Sequence, residues 1–283
     1  MSTTIVDEGT PAAGALPPTG LPTDIKVTLP RLLRSEWVKF WSLRSSYFTL
    51  AGTVVAMIGL GALISFFTEN RWAQIDPAER FHFNPTGVSL HGWAIAQLVV
   101  GVLGIMVITG EYGTGMIRSS LAAAPKRIPV LVAKSAVFAA IAFVVTTAAA
   151  IVAFLIGQAL LSPIHINTTL SAPGVLRTVI GVGLYITVVG LLGVGLGFII
   201  RNTAGTIATL FGILLVLPVL VDALPTTWSE HISPYLPSNA GQEILTLHTD
   251  PGMLAPWTGF GVFCIYAAVA LIVGGFLLRR RDA

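Results

Sequence analysis

The sequence predicts an all-α membrane protein with six transmembrane helices, and three observations carry this prediction. Hydrophobic residues make up 54% of the 283 residues and charged residues only 10%, which are too few to cover the surface of a soluble protein. Six stretches stay apolar for roughly 20 residues, the length that a helix needs to cross the hydrocarbon core. The basic residues that flank these stretches fall mostly on one side.

The six predicted spans follow a different kind of N-terminal segment. Residues 1–29 are rich in Pro, Gly and Thr and contain no apolar run, so we expect a disordered cytoplasmic tail. Residues 30–283 are predicted to form the six-span domain. Its spans are placed at residues 47–67, 89–109, 136–161, 175–200, 203–223 and 256–278.

The Lys and Arg residues predict the orientation of these spans. With six spans, thirteen of them fall on one side and three on the other. The thirteen lie in the N-terminal flank, in the segment between the second and third spans, at the turn between the fourth and fifth spans, and at the C-terminus. Because cytoplasmic segments carry the excess of positive charge, both termini are predicted to be cytoplasmic.

Several functional classes are disfavoured by what the chain lacks. No Asp, Glu, Lys or His lies near the middle of a predicted span, which argues against a carrier driven by protons or sodium. The chain contains no phosphate-binding loop and no hydrolase or metalloprotease motif, so we predict no catalytic residues. The five histidines match no metal-site spacing, and solvated or interfacial histidines are favoured over a zinc site.

Two patterns inside the predicted spans have ordinary structural readings. Gly193 and Gly197 form a GxxxG pattern, which favours close packing within the chain over a specific dimer face. Pro218 is expected to bend the fifth span near its outer end.

The first functional candidate is the basic, aromatic segment at residues 30–48, PRLLRSEWVKFWSLRSSYF. Apolar residues recur there at steps of three and four, with basic and polar residues mostly between them, which predicts an amphipathic helix in the cytoplasmic interface. An ordinary positively charged flank is the alternative. The site residues of this predicted interfacial helix are Arg34, Trp37, Lys39, Trp41 and Arg44.

The second candidate is residues 110–134, GEYGTGMIRSSLAAAPKRIPVLVAK, between the second and third spans. Thr114 is predicted to cap the N-terminus of a short helix, and Pro125 to stop it after about three turns. Glycines before the helix permit a sharp entry. The alternative is a positively charged connector that has no partner.

This segment resembles the corresponding loop of the membrane subunit of type-2 ABC exporters, the permease whose ATPase is often a separate chain. The family pattern runs from an acid and an aromatic residue through a Gly-Thr pair, a base, Leu, Pro and Arg to a later Lys. Met116 stands in the place of the threonine. The matching residues are Glu111, Tyr112, Gly115, Arg118, Leu121, Pro125, Arg127 and Lys134.

The resemblance covers residues 30–283, because it includes the amphipathic start, the six spans and a stretch at 235–245 that is similar to short outer helices. It implies a coupling helix between the second and third spans, docked in a cytoplasmic ABC ATPase. Glu111 and Arg118 would then be docking or hinge-fixing charges at the surface.

The resemblance also implies a second permease chain, as a homodimer or a heterodimer, in a multi-pass exporter of the cell membrane. ATP and magnesium would bind to the ATPase, with no cofactor in this chain and no nucleic-acid partner. The alternative function is a membrane immunity or sensor protein that transports nothing, or a passive channel. The uniformly apolar spans fit amphipathic drugs, peptides or lipids and select none of them.

Overall fold

The computed structural model describes residues 28–81, 83–116 and 127–280, and within these ranges the chain is helical and contains no strand. Six helical stretches are long and apolar enough to cross a membrane, as predicted. Most of the predicted tail lies outside the described residues. The stretches are span 1 (Arg44–Gln74), span 2 (Pro85–Gly113), span 3 (Arg127–Ile164), span 4 (Val175–Ile200), span 5 (Thr203–Asp222) and span 6 (Pro256–Arg280).

Most of the α-helices that form the spans have other lengths than the predicted spans, and shorter α-helices lie before and between them in the described residues. The α-helices are α1 Leu29–Ser42, α2 Arg44–Arg71, α3 Pro77–Phe81, α4 Pro85–Leu90, α5 Trp93–Gly113, α6 Arg127–Leu161, α7 Val175–Ile200, α8 Thr203–Phe211, α9 Leu217–Asp222, α10 Thr226–Ile232, α11 Pro237–Gln242 and α12 Pro256–Arg280. Helix α6 has 35 residues. At 1.5 Å per residue it measures about 52 Å, against a hydrocarbon core of about 30 Å, so it extends well beyond the membrane.

Span 4 lies at the centre of the bundle and packs against spans 2, 3 and 6. Its GxxxG pattern faces span 2 of the same chain. A Cβ atom on Gly193 would lie 2.7 Å from the backbone oxygen of Gly101, and one on Gly197 would lie 3.2 Å from the side chain of Ile108. The glycines therefore let two spans of one chain approach closely, which confirms the ordinary packing reading.

Span 5 changes its helical geometry immediately before its proline. A π-helical segment, Gly212–Val216, separates α8 from α9, in which Pro218 is the second residue. Proline offers no N–H and its ring presses on the carbonyl of the fourth residue before it, here Leu214. The wider π turn accommodates that ring, so the predicted perturbation at Pro218 takes this form.

The segment before span 6 re-enters the bundle between spans 4 and 6. Helix α11 and a 3₁₀ turn, Glu243–Leu245, confirm the short helices predicted at 235–245. Ala240 and Ile244 are buried. A Cβ atom on Gly241 would lie 2.6 Å from the ring of Phe263 and 2.8 Å from that of Tyr185, so only glycine fits between these rings.

The six spans alternate in direction, so the segments that connect them lie at two opposite ends of the bundle. At one end, Arg127 of span 3 donates to the backbone oxygen of Leu278 in span 6 at 2.7 Å, and Arg201 stacks over Tyr112 of span 2 at 5.0 Å. We call this the basic end. At the opposite end, Gln158 of span 3 donates to Ser89 Oγ of span 2 at 2.8 Å.

Candidate functional site

Helix α1 packs along span 3 at the basic end. Leu43 is extended, with φ −87° and ψ 115°, and it separates α1 from α2. Arg44 therefore begins the helix of span 1 and is exposed, so its placement on the predicted amphipathic helix is wrong. The periodicity of residues 30–48 continued through Leu43 and gave no sign of this break.

The outer face of α1 has the predicted basic and aromatic character. Arg34 and Trp37 are exposed, while Trp41 is partly buried and its ring lies 5.8 Å from that of Trp37 and 5.1 Å from that of Tyr47. Trp is typical of the headgroup level of a membrane, and Arg binds the phosphates there. The opposite face buries Phe40 and one acidic residue, Glu36.

Four alternating charges meet where α1 contacts spans 2 and 3. Lys134 Nζ lies 2.6 Å from Glu36 Oε2 and 2.7 Å from Glu111 Oε1. Lys39 Nζ lies 2.9 Å from Glu36 Oε1 and 3.4 Å from Glu111 Oε1. The two lysines and the two glutamates close a ring without net charge. We call these four residues the ion-pair cluster.

The cluster is shielded from water on most sides. The exposed fraction of the side chain is 3% for Lys134, 6% for Glu36, 11% for Glu111 and 31% for Lys39. An isolated charge at such a depth would cost several kcal/mol, so each buried charge depends on its partners. An apolar cavity of about 270 Å³, lined by Phe40, Leu103 and Phe138 among others, lies beside the cluster.

The two members of the cluster that lie on α1 remain charged at neutral pH. Burial would raise the pKa of Glu36, but Lys134 and Lys39 outweigh that effect and lower it below 4.5. Burial would likewise lower the pKa of Lys39, but Glu36 and Glu111 outweigh it and raise it above 10.5. The stabilisation therefore holds between acid pH, where Glu36 takes up its proton, and alkaline pH, where Lys39 loses its own.

The ion-pair cluster clamps both flanks of the segment between spans 2 and 3. Glu111 lies in the last turn of α5, and Lys134 lies about 10 Å along α6 from Arg127, its first residue. The predicted coupling helix between these flanks, with Arg118, Leu121 and Pro125, lies outside the described residues. The cluster therefore connects span 2, span 3 and α1 at the two flanks of this segment.

Glu111 is not the surface charge that the sequence predicted. Its side chain is mostly buried and its carboxylate is held by Lys134 and Lys39. Its second oxygen is buried and accepts no hydrogen bond from the described residues. Of the two predicted roles for Glu111, this geometry favours the fixing of a hinge over direct docking.

The chain turns sharply at the end of α5. Gly115 has a φ of +71°, which glycine adopts without strain, so the predicted sharp entry is found there. The helix that Thr114 is predicted to cap lies outside the described residues, so its capping role stays a prediction. Thr114 follows the last residue of α5, and its hydroxyl donates to the backbone oxygen of Gly110 at 2.9 Å. Gly110 and Gly113 belong to α5 itself.

Tyr112 and Arg127 connect the same region to the rest of the basic end. Tyr112 lies under Arg201, in the turn between spans 4 and 5, where Arg201 adopts a left-handed backbone with a φ of +59°. Arg127 caps a free carbonyl at the end of α12 through Leu278. Together with the cluster, these contacts link spans 2 to 6 at the basic end. Span 1 follows α1 directly.

Two members of the cluster were missed as site residues. Lys134 matched the family pattern but was given no role, and Glu36 was not singled out. The signal for Glu36 was present, because it is the only acid in residues 30–48 and shares a face with Leu33 and Phe40. An acid on the apolar face of a helix calls for a buried basic partner.

The comparisons with known proteins agree with this architecture. The family described as ABC-2 family transporter protein matches residues 32–223, which are more than half of the chain. The chain belongs to the ABC-2 transporter family. A search among curated proteins finds no match. The matched region of this ABC-2 permease contains most of α1, both flanks of the segment between spans 2 and 3, and the whole ion-pair cluster.

The family and the six spans make this chain a multi-pass membrane permease of an ABC transporter, a class that transports and is generally not catalytic itself. Membership also implies a partner ABC ATPase. The arrangement at the basic end is suited to such a subunit, because the polar side chains described there position helices relative to one another.

We predict that Lys134→Gln destabilises this ABC-2 permease far more than Lys39→Gln does. Lys134→Gln leaves two buried carboxylates with one partly exposed lysine, and loss of one partner from a buried pair costs about 3–5 kcal/mol. Water can replace part of what Lys39 provides, so its loss is expected to cost about 1 kcal/mol. Thermal unfolding of the purified variants in detergent measures the difference. Equal losses would show that Lys134 is not the centre of the cluster.

Proposed function

We propose that this ABC-2 permease is the substrate-translocating subunit of an ATP-driven exporter, with both termini in the cytoplasm and the hydrolysis of ATP in a separate subunit. The observation that best supports this proposal is the ion-pair cluster, which joins α1 to both flanks of the segment between spans 2 and 3. A membrane protein needs such a joint if a force applied to that segment must move several spans at once.

The proposed mechanism begins at the partner ATPase, which binds ATP and magnesium. Two ATPase subunits close on ATP and pull the segment between spans 2 and 3, in which Arg118, Leu121 and Pro125 form the docking helix. Gly115 provides the bend that separates this helix from α5. The ion-pair cluster carries the displacement to α1 and to spans 2 and 3, while Arg127 and Tyr112 carry it to spans 6, 4 and 5.

A second permease chain completes the proposed path. Span 5 exposes Val216, Val219 and Leu220 on an apolar face. Spans 1 and 5 are the least buried of the six, whereas span 4 is enclosed by its neighbours. An opening between two copies, or between this chain and a related one, leaves the packed centre of each chain intact and moves only faces that already lack internal partners.

The first functional test concerns the association of this permease with its partner ATPase. We expect the purified permease alone to hydrolyse no ATP, and to form an active complex with its partner ABC ATPase when the two are produced together. Arg118→Glu is expected to weaken this association at least tenfold, because charge reversal in a docked interface costs several kcal/mol. Hydrolysis and binding are measured on reconstituted protein with magnesium and ATP.

Lys26→Glu is the matched control, because it reverses one basic charge outside the predicted coupling helix and is expected to leave association unchanged. If Arg118→Glu retains full association and transport, the segment is only a positively charged connector. If the permease never associates with an ATPase and still conducts solutes, the channel alternative replaces the exporter; if it binds a ligand without moving it, the sensor alternative does.

The proposed orientation leads to a labelling prediction. In a Cys264→Ala background, Ser229→Cys in α10 is expected to react with a membrane-impermeant thiol reagent in intact cells, because α10 lies at the end opposite the basic end. Ser119→Cys is expected to react only after the cells are opened. The reverse pattern would place the basic end outside and remove the proposed ATPase from its docking site.

A further inference from the structure

Spans 3 and 6 leave an apolar groove between them at the basic end. Its cavity is about 610 Å³, within the range of about 300–1,000 Å³ that is usual for small-molecule sites. Small residues form its floor, including Ala268 and Gly275, and larger apolar residues such as Val132 and Phe276 form its rims. Val132 and Phe276 are both about half exposed, so the groove opens toward the surrounding membrane.

The lining residues form one continuous stripe on each helix. On span 6 they run from Ala268 to Arg279, and on span 3 from Ile128 to Ser135, at steps of three and four residues. Eleven residues separate Ala268 from Arg279, which corresponds to about 16 Å along a helix. This is about half of a hydrocarbon core of roughly 30 Å, and so the depth of a single leaflet.

Among the described residues that line this groove, one is charged, and it stands at the mouth. Arg279 occupies the last position of the span 6 stripe and has no acidic partner among residues 28–81, 83–116 and 127–280. Its neighbour Arg280 does not line the groove, and its guanidinium lies 4.4 Å from the centre of the ring of Phe276 at the rim. The groove thus combines an apolar channel one leaflet deep with one available guanidinium at headgroup level.

We propose that this groove binds an anionic phospholipid of the leaflet at the basic end, with one acyl chain between spans 3 and 6 and the phosphate at Arg279. A cavity of about 610 Å³ that extends over about 16 Å is too narrow for a protein helix, which is about 10–12 Å across. A single hydrocarbon chain fits along the stripe. A guanidinium matches the geometry of a phosphate and binds it with two hydrogen bonds.

The site has a mechanical consequence. A bound lipid holds spans 3 and 6 together near the place where Arg127 donates to Leu278, which is one of the contacts between these spans. The acyl chain therefore reinforces the link between the flank of the segment 117–126 and the last span. The inference does not depend on the exporter proposal, because it requires only that the six helices span a membrane.

Native mass spectrometry of the purified chain tests this site. Phosphatidylglycerol and phosphatidylcholine with identical acyl chains are added to the protein in detergent, and the bound fractions are compared. We expect phosphatidylglycerol to bind about fivefold more tightly, which corresponds to about 1 kcal/mol for one arginine at the membrane surface. Arg279→Gln is expected to remove this preference, and Arg280→Gln, the matched control, to retain it.

Ala268→Phe tests the acyl channel, because its side chain would occupy the deep end of the groove. It is expected to reduce the binding of both lipids at least threefold. Val269→Phe is the matched control, because Val269 is the next residue, is exposed and does not line the groove. Unchanged thermal unfolding of all four variants shows that the fold is retained.

Three results would overturn the proposal. Equal binding of both lipids to the unmodified chain would show that the net negative charge of the headgroup has no role. Equal losses in Arg279→Gln and Arg280→Gln would show attraction to the basic end in general. Equal binding by Ala268→Phe and Val269→Phe would show that no acyl chain enters between spans 3 and 6.

Discussion

The arrangement of the basic end depends on one buried lysine. Lys134 is almost inaccessible to water and is neutralised by two carboxylates from two other helices, Glu36 and Glu111. A buried charge cannot move far from its partners, because leaving it unpaired in an apolar environment costs several kcal/mol. The lysine therefore fixes the position of α1 on span 3 and that of span 2 beside it.

This constraint gives α1 a role that its amphipathic pattern does not reveal. Its exposed tryptophans suit the membrane interface, while its buried face carries an acid into the bundle. In the proposed mechanism this helix would lie against the membrane on one side and be held to spans 2 and 3 on the other. Lys39, the most exposed member of the cluster, closes the ring and lets water reach only its edge. A rigid joint of this kind transmits motion, whereas the apolar contacts around it can slide.

The sequence predicted the six spans and their relative directions because length, hydropathy and basic flanks are local properties that the chain shows directly. The GxxxG pattern in span 4 was also read correctly, because close packing is what small residues provide in any apolar helix. The end of α1 before Leu43 was missed, since it depends on how the next helix enters the fold.

The cluster itself could be predicted only in part. Glu111, Lys39 and Lys134 were visible as charges near predicted span ends, but their burial results from packing between segments 98 residues apart in the case of Glu36 and Lys134. Periodicity reports which face of a helix is apolar and does not identify the element that covers it. An acid on that face, as at Glu36, is the one local sign that a charged partner must arrive from elsewhere.

A double-mutant cycle on Glu36 and Lys134 tests the central claim most directly. Each single change to Gln leaves the cluster with an unbalanced charge, whereas the double variant keeps the neutral pair of Lys39 and Glu111. We predict that the double variant loses less stability in detergent than the sum of the single variants, by about 1–3 kcal/mol. Additive losses would contradict the claim, because the two side chains would then stabilise the fold independently of each other.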